Sequence, residues 1–240
     1  MFGQRARTSI GLMALMVTIA GLTFASPASA EFFVDLYLGG AFTEKHDVDT
    51  EFPAGTVSAL DVSFNKSFTG GLRGGYWLPF DVGPLNFGFG VDLSHFAPNI
   101  ERQSTAFCEN FCVNGVFDDI DLSVWVIGFD ALLRAPLLKS SAFPNGQLQP
   151  YLRVGPAIFV AHANDRNNFS PGDQTDSDTS IGVKLGAGVA WLFTRNIGIF
   201  GEYRYTHFSP EFTFTDGGFS ADMSSSINTH SLLFGATFRF

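Results

Sequence analysis

Charged side chains are scarce in this sequence, and lysine is the scarcest of them. Asp, Glu, Lys and Arg make up 15% of the 240 residues, and only four residues are lysine, whereas about a quarter of a typical soluble domain is charged. The 23 acidic residues outnumber the 14 basic ones, which gives a formal net charge of -9. Nucleic-acid binding depends on basic side chains that neutralise phosphates, so this balance excludes it. The 28 phenylalanines likewise exclude an intrinsically disordered chain.

Long apolar runs are absent after the N-terminus. Residues 1–30 combine a basic start, an uncharged apolar stretch over 10–25 and small residues at 28–30. This is the pattern of a secretory signal peptide with its cleavage site. A membrane-anchoring helix is the alternative, but the apolar stretch is short and ends at that site, and no later run approaches the roughly 20 residues of a spanning helix. The sequence therefore predicts a signal peptide at 1–30 and one mature domain at 31–240.

The mature chain has alternation instead, because apolar residues recur at every second position, and this indicates β-strands. Eight segments show the pattern, at 32–43, 66–78, 85–97, 119–135, 149–163, 179–193, 197–212 and 225–240. In the fourth segment the alternation changes phase near 126–128, which predicts a β-bulge. Helix signals are weak, because glycine is scattered through the apolar stretches and a period of 3.6 residues is rare.

The two faces of each segment differ in a way that is foreign to a soluble sandwich. In the sixth segment Ile181, Val183 and Leu185 share one face, and Gly182 and Lys184 lie on the other. A strand that crosses a bilayer needs an apolar outer face, and its sheet must close because lipid satisfies no backbone group. The sequence therefore predicts an all-β fold, an eight-stranded antiparallel transmembrane β-barrel. A soluble lipocalin-type barrel is the alternative, but it would have apolar residues inside and charges outside.

The connections between the segments alternate in length. Short links lie at 79–84 and 194–196, and the link at 136–148 is longer than this pattern favours. The long polar connections lie at 44–65, 98–118, 164–178 and 213–224. Short periplasmic turns and long extracellular loops are typical of bacterial outer-membrane barrels. Most acidic residues lie in the long loops, without the spacing of a calcium-binding loop. Cys108 and Cys112 in the second loop predict a small disulfide, since an exported protein matures in an oxidising compartment.

The last third of the chain resembles a known family. Its motifs are Gly188-Val-Ala-Trp-Leu-Phe, Gly201-Glu-Tyr-Arg-Tyr-Thr-His and the C-terminal strand from Asn228 to Phe240. They are similar to those of the small outer-membrane β-barrels, a group that includes the OmpA transmembrane domain, OmpX, OmpW and the opacity-type proteins. The resemblance implies a monomer in the outer membrane of a Gram-negative bacterium, among outer-membrane lipids and lipopolysaccharide. It also implies that the barrel assembly machinery reads the C-terminal strand ending in Phe240.

Ten charged side chains have the parity that faces the lumen. They are Asp35, Arg73, Asp92, Asp130, Arg134, Arg153, Lys184, Glu202, Arg204 and Arg239. Interior ions are tolerated only when they are paired, so we expect a network of ion pairs that plugs the narrow interior. Lys184 and Glu202, on adjacent segments, are one expected pair. The alternatives are a narrow ion path and an OmpW-like passage for small apolar molecules, and the interior charges argue against the second.

One motif fits an enzyme. His207 and Ser209 lie two residues apart on the lipid-facing side, which is similar to the His-x-Ser of the lipid A 3-O-deacylases, another family of eight-stranded barrels. In that family a serine nucleophile and a histidine base are completed by an acid, for which Asp222 and Glu211 are the candidates. Pro210 departs from the family's pattern, and neither acid has its spacing. The sequence therefore favours a protein without enzymatic activity.

A metal site is another use for the five histidines, since all of them fall near one end of the predicted barrel. His207 and His230 lie on neighbouring segments, where we expect them roughly opposite each other, but a metal site needs more ligands. The sequence predicts neither a metal nor a cofactor. The expected role is structural, in envelope integrity, or one of surface interaction.

Overall fold

A computed structural model describes residues 31–52, 55–166, 173–216 and 219–240. The predicted signal peptide at 1–30 lies outside these residues. Within the described ranges, no helix is long and apolar enough to cross a membrane. The strands follow one another as β1 (Glu31–Thr43), β2 (His46–Phe52), β3 (Gly55–Val62), β4 (Ser67–Val82), β5 (Leu85–Phe96), β6 (Gln103–Cys108), β7 (Cys112–Phe117), β8 (Ile120–Arg134), β9 (Leu148–Arg166), β10 (Asp173–Leu192), β11 (Ile197–Phe208), β12 (Glu211–Asp216), β13 (Phe219–Ser224) and β14 (Ile227–Arg239).

Eight of these strands close into a barrel in the order β1, β4, β5, β8, β9, β10, β11 and β14. All neighbours are antiparallel, and β14 pairs with β1 to complete the ring. The prediction of an eight-stranded antiparallel barrel is therefore confirmed. The connections that follow β4, β8 and β10 lie at the same end of the barrel as Glu31 and Phe240. We call this the periplasmic end and the opposite one the extracellular end.

The outer wall of the barrel is apolar, and charged side chains point inward. On β10, the side chains of Val183 and Leu185 are exposed on the outside, whereas Lys184 between them is fully buried. On β1, Leu38 is 68% exposed and Asp35 is 3% exposed. Successive strand residues point to opposite faces, so this contrast continues along the strand. The predicted orientation of the two faces is confirmed.

Strand β8 has no bulge, so that prediction was wrong. Its buried and outward positions alternate without a break from Ile120 to Arg134. The apparent change of phase arises because both faces are apolar near its middle: Val126 is buried in the interior, and Trp125 is exposed outside. The register shifts instead between β4 and β5, just after Trp77.

The long connections are not irregular loops, contrary to expectation. β2, β3, β6, β7, β12 and β13 form a second, six-stranded sheet at the extracellular end, in the order β12, β13, β2, β3, β6 and β7. Its strands are short, and the pairing of β2 with β3 shifts between His46 and Val48, so the alternation is hard to recognise in the sequence. Val48 and Ala59 nevertheless point into a buried core beneath the sheet. β9 and β10 also extend beyond the predicted 149–163 and 179–193.

Candidate functional site

The middle of the lumen is occupied by charged side chains from seven of the eight barrel strands. Four acids and four bases form this set, which we call the central cluster: Asp35, Asp92, Asp130 and Glu202 with Arg73, Arg153, Lys184 and Arg204. Each residue is at most 4% exposed. Because four carboxylates face four cations, the charges of the central cluster cancel within one layer of the barrel.

Glu202 on β11 binds three arginines. Its carboxylate accepts hydrogen bonds from Arg73 Nη1 at 2.7 Å, Arg153 Nη1 at 3.0 Å and Arg204 Nη2 at 2.9 Å. The Tyr151 hydroxyl donates a fourth bond at 2.8 Å. Hydrogen bonds between ionised partners are among the strongest in proteins, and a buried carboxylate is tolerated only when it has them.

Asp92 on β5 is the second centre of the network. Lys184 Nζ donates a hydrogen bond to it at 2.8 Å, and the Tyr37 hydroxyl donates another at 2.6 Å. Arg204 Nη2 lies 3.4 Å from the same carboxylate, so this arginine links Asp92 to Glu202. The predicted set holds charged residues, so it lacks Tyr37 and Tyr151, although both have the lumen-facing parity.

The predicted pair of Lys184 with Glu202 was wrong. Lys184 pairs with Asp92 on β5 and, at 3.4 Å, with Asp130 on β8, which are three strands and two strands away from β10 around the barrel. The register of β10 and β11 places Thr206 opposite Lys184, and Glu202 lies four residues farther along β11. The lysine therefore extends across the barrel to strands that are not its neighbours.

Two further pairs complete the central cluster. Arg73 Nε donates a hydrogen bond to Asp35 at 2.7 Å, and Arg153 Nη2 pairs with Asp130. A glycine makes room for Arg153, because a Cβ at Gly186 would meet its Cγ at 2.6 Å. The arginine thus fills the space that a larger residue at 186 would need.

Arg134 and Arg239 lie apart from the central cluster, at the periplasmic end. Arg134 Nη2 pairs with Glu31 at 2.7 Å, and Arg239 Nη1 lies 3.4 Å from the same carboxylate. Both guanidinium groups lie over the ring of Trp77, at 4.3 and 5.9 Å from its centroid, where a cation is attracted to the ring face. Glu31 is missing from the predicted set because it directly follows the predicted cleavage site, yet its parity matches that of Asp35.

The extracellular end of the lumen is apolar rather than polar and glycine-rich as expected. Phe159 and Phe208 stack with ring centroids 4.2 Å apart, and Phe96 contacts Phe208 edge-on. Val124 and Val126 of β8 are buried in the same cluster. From the periplasm outward, the interior therefore has a small charged group, the central cluster and an apolar layer.

The family to which this barrel belongs is shown by a family model. The chain matches the model of the outer membrane protein beta-barrel domain over residues 14–240. It belongs to this family. The protein is accordingly an outer-membrane β-barrel, with its short turns in the periplasm and its six-stranded sheet outside the cell.

The chain is similar to solved structures of several outer-membrane proteins. The outer membrane protein OprG from Pseudomonas aeruginosa has 11% sequence identity and a TM-score of 0.58, over 88% of this chain and 96% of that one. Neisserial surface protein A has 17% identity and a TM-score of 0.47, over 87% and 97%. Ail, the attachment invasion locus protein of Yersinia pestis, has 14% identity and a TM-score of 0.41, over 88% and 99%. No curated protein sequence matches the chain.

In this outer-membrane barrel, the residues of the hydrolase alternative have other partners. His207 Nδ1 lies 2.7 Å from Asn228 Oδ1, and Ser209 Oγ lies 3.1 Å from Ser226 Oγ. Asp222, on β13, accepts a hydrogen bond from a threonine of β12. The described contacts of these three side chains therefore do not assemble a nucleophile, a base and an acid.

The expected opposition of His207 and His230 was wrong by two residues. The register of β11 and β14 places Asn228 opposite His207, and Tyr205 opposite His230. In the described part of the chain, no group of three or more His, Cys, Asp or Glu side chains is arranged to hold a metal ion.

The two cysteines lie at the turn between β6 and β7 in the extracellular sheet. A disulfide joins Cys108 to Cys112, with an S–S distance of 2.05 Å. Phe111 within this turn is 75% exposed. The disulfide closes a short loop at the tip of a hairpin, so it restricts that tip more than it stabilises the whole barrel.

Proposed function

We propose that this outer-membrane barrel is a non-enzymatic, non-conducting scaffold that holds its extracellular sheet at the cell surface, for a structural role or for surface interaction. The observation that carries the proposal is the central cluster. Its eight charged side chains extend into the lumen from seven strands, and each of them forms an ion pair with another member of the central cluster. An eight-stranded barrel encloses little more than its own side chains.

The two alternatives for a passage meet different obstacles. An ion path would need charged groups that exchange partners with a passing ion, but Glu202 already binds three arginines and Asp92 binds Lys184. A passage for small apolar molecules would need an apolar lumen from end to end. The apolar layer around Phe159 and Phe208 ends instead at the central cluster.

Current across planar lipid bilayers tests the closed lumen. The wild-type barrel should show no conductance steps. The double variant Arg153→Ala with Glu202→Ala removes one ion pair of the central cluster, and it should conduct because water fills the space. The matched control, Arg195→Ala with Glu211→Ala, removes two exposed charges of the same types and should remain silent. Wild-type conductance equal to that of the lumen variant would refute the proposal.

Lipid A analysis tests the absence of enzymatic activity. Mass spectrometry of lipid A from cells with and without the protein should give the same acyl-chain pattern. The loss of one acyl chain in cells that make the wild-type protein, but not in cells that make Ser209→Ala, would establish the hydrolase alternative instead.

The partners that fit this role are the outer-membrane lipids, lipopolysaccharide and the assembly machinery. We propose a monomer whose last strand is the segment that the machinery binds. Phe240 follows β14 directly, its backbone N–H donates a hydrogen bond to Phe32 O at 2.9 Å, and its side chain is 67% exposed. This exposed aromatic ring at the seam of the barrel is accessible to the assembly machinery.

A further inference from the structure

A small cavity lies in the lumen between the central cluster and the charged group at the periplasmic end. Asp35 and Arg73 of the central cluster line it, together with Trp77 on β4 and Thr237 and Arg239 on β14. The space open to the centre of a water-sized sphere is about 10 Å³. This is room for one water molecule or for one ion of similar size.

Four residues of this lining carry buried polar atoms to which the described part of the chain provides no hydrogen bond. The atoms are Arg239 Nε and Nη1, Trp77 Nε1, Thr237 Oγ1 and Asp35 Oδ1. Arg239 Nη1 forms an ion pair with Glu31, at 3.4 Å from Oε1, but the geometry is not that of a hydrogen bond. Buried polar groups are almost always paired in proteins, so these unpaired atoms around one cavity indicate a bound species.

The unpaired atoms show which kind of species suits the cavity. The three N–H groups of Arg239 and Trp77 only donate, the Thr237 hydroxyl donates or accepts, and the carboxylate oxygen of Asp35 only accepts. The other oxygen of Asp35 pairs with Arg73, which neutralises this carboxylate. A water molecule accepts two hydrogen bonds and would leave one of the N–H groups unpaired, whereas an anion accepts from all three.

The charges around the cavity also favour an anion. The central cluster is neutral, but at the periplasmic end Arg134 and Arg239 share the single carboxylate of Glu31. Each of these three residues is at most 6% exposed, so this group keeps one buried positive charge in excess. A buried charge without a counter-ion is costly, and one monovalent anion beside Arg239 would neutralise it.

The periplasmic end of the barrel provides the access to this cavity. A second cavity, of about 170 Å³, lies at that end, and Arg239 lines both cavities. Arg195 and Asn196, in the turn after β10, form part of its wall. The chain has a net charge of -9, yet bases outnumber acids at this end. They are Arg134, Lys139, Arg195 and Arg239, against Glu31 and Asp81. Such a local excess of positive charge attracts anions.

We propose that the cavity beside Arg239 binds one monovalent anion of the size of chloride, which enters from the periplasm. Arg239, Trp77 and Thr237 donate hydrogen bonds to it. The ring centroids of Phe33 and Trp77 lie 5.2 and 5.9 Å from Cζ of Arg239, and these rings hold the guanidinium group in place. The central cluster lies beyond the cavity, so the anion binds without crossing the barrel. The proposal does not depend on the scaffold role.

Diffraction from crystals of the wild-type barrel grown in sodium bromide tests the site directly. Bromide resembles chloride, and its anomalous signal distinguishes it from water. One bromide peak should lie in the cavity next to Arg239 Nε and Nη1. Density at this place without an anomalous signal would show a water molecule instead, and it would overturn the proposal.

The dependence of stability on the anion tests the same site in solution. Reversible urea unfolding in lipid vesicles is compared in sodium chloride and in sodium gluconate at equal ionic strength, because gluconate is too large for the cavity. The folding equilibrium constant of the wild type should rise with chloride, about tenfold once chloride reaches ten times its dissociation constant. Equal constants in the two salts at every concentration would contradict the proposal.

Two variants assign the chloride dependence to this cavity. Arg239→Gln removes the charge and should abolish the dependence, and Thr237→Val removes one donor at constant size and should weaken it. The matched control is Thr229→Val, the same change at a buried threonine of β14 that bonds to Thr43 at the extracellular end. It should keep the chloride dependence of the wild type.

The comparison between two salts separates anion binding from a general loss of stability, since a variant that is merely less stable is affected equally in both. Thr237→Val decides the outcome if Arg239→Gln does not fold. The full chloride dependence of the wild type in Thr237→Val would place the anion elsewhere and overturn the proposal.

Discussion

Removal of one charge from the central cluster is the sharpest test of the interior. Glu202→Gln keeps the size and shape of the side chain but removes its negative charge. Arg73, Arg153 and Arg204 lose their shared carboxylate, and the balanced layer acquires a net charge of one. Breaking a buried ion pair by changing one partner costs about 3–5 kcal/mol. We expect a loss in that range, out of the about 5–15 kcal/mol that stabilises a typical domain.

The assay is reversible urea unfolding of the barrel in lipid vesicles. Glu211→Gln is the matched control, since the same change at an exposed acid should shift the unfolding free energy by no more than about 0.5 kcal/mol. Adding Arg204→Gln to Glu202→Gln restores neutrality, and it should recover part of the loss because the two residues are in contact. A loss below about 1 kcal/mol for Glu202→Gln, equal to that of the control, would refute the reasoning.

Three further predictions concern the wall, the sheet and the orientation. Leu185→Arg places a charge on the lipid-facing wall and should destabilise the barrel by about 2–4 kcal/mol in vesicles, whereas Leu185→Phe should be tolerated. Equal stability of the two would mean that the faces are exchanged. Mass spectrometry of unreduced protein should find Cys108 linked to Cys112, and two free thiols would contradict this. A tag inserted between the two cysteines should bind antibody on intact cells, and a tag at 194–196 should not. The opposite labelling would invert the topology.

The face of the barrel on which each strand residue lies could be predicted from the sequence, because lipid requires an apolar side chain at every second position. Leu185 and Lys184 lie on opposite faces whatever the rest of the chain does, so the fold and all ten predicted lumen charges follow from alternation alone. The partners of these charges could not be read in the same way. Lys184 reaches Asp92 across the lumen, and such contacts depend on the diameter of the barrel and the tilt of its strands.

Two other features could not be predicted from the sequence, for different physical reasons. The apolar extracellular part of the lumen makes both faces of β8 apolar, so Val126 and Trp125 read as a break in the alternation rather than as an interior core. The strands of the extracellular sheet are short and interrupted, and their polar outer face resembles loop sequence.

The composition of the central cluster has a consequence for the order of assembly. Asp35 on β1 and Arg204 on β11 come from opposite ends of the barrel sequence, and the strands between them supply the rest of the layer. The last strand, β14, contributes threonine, serine and leucine at this depth, such as Ser231 and Leu233. The charges can therefore neutralise one another while the sheet is still open between β1 and β14. At this depth the seam between β1 and β14 then closes without a new ion pair, whereas at the periplasmic end Arg239 of β14 pairs with Glu31 of β1.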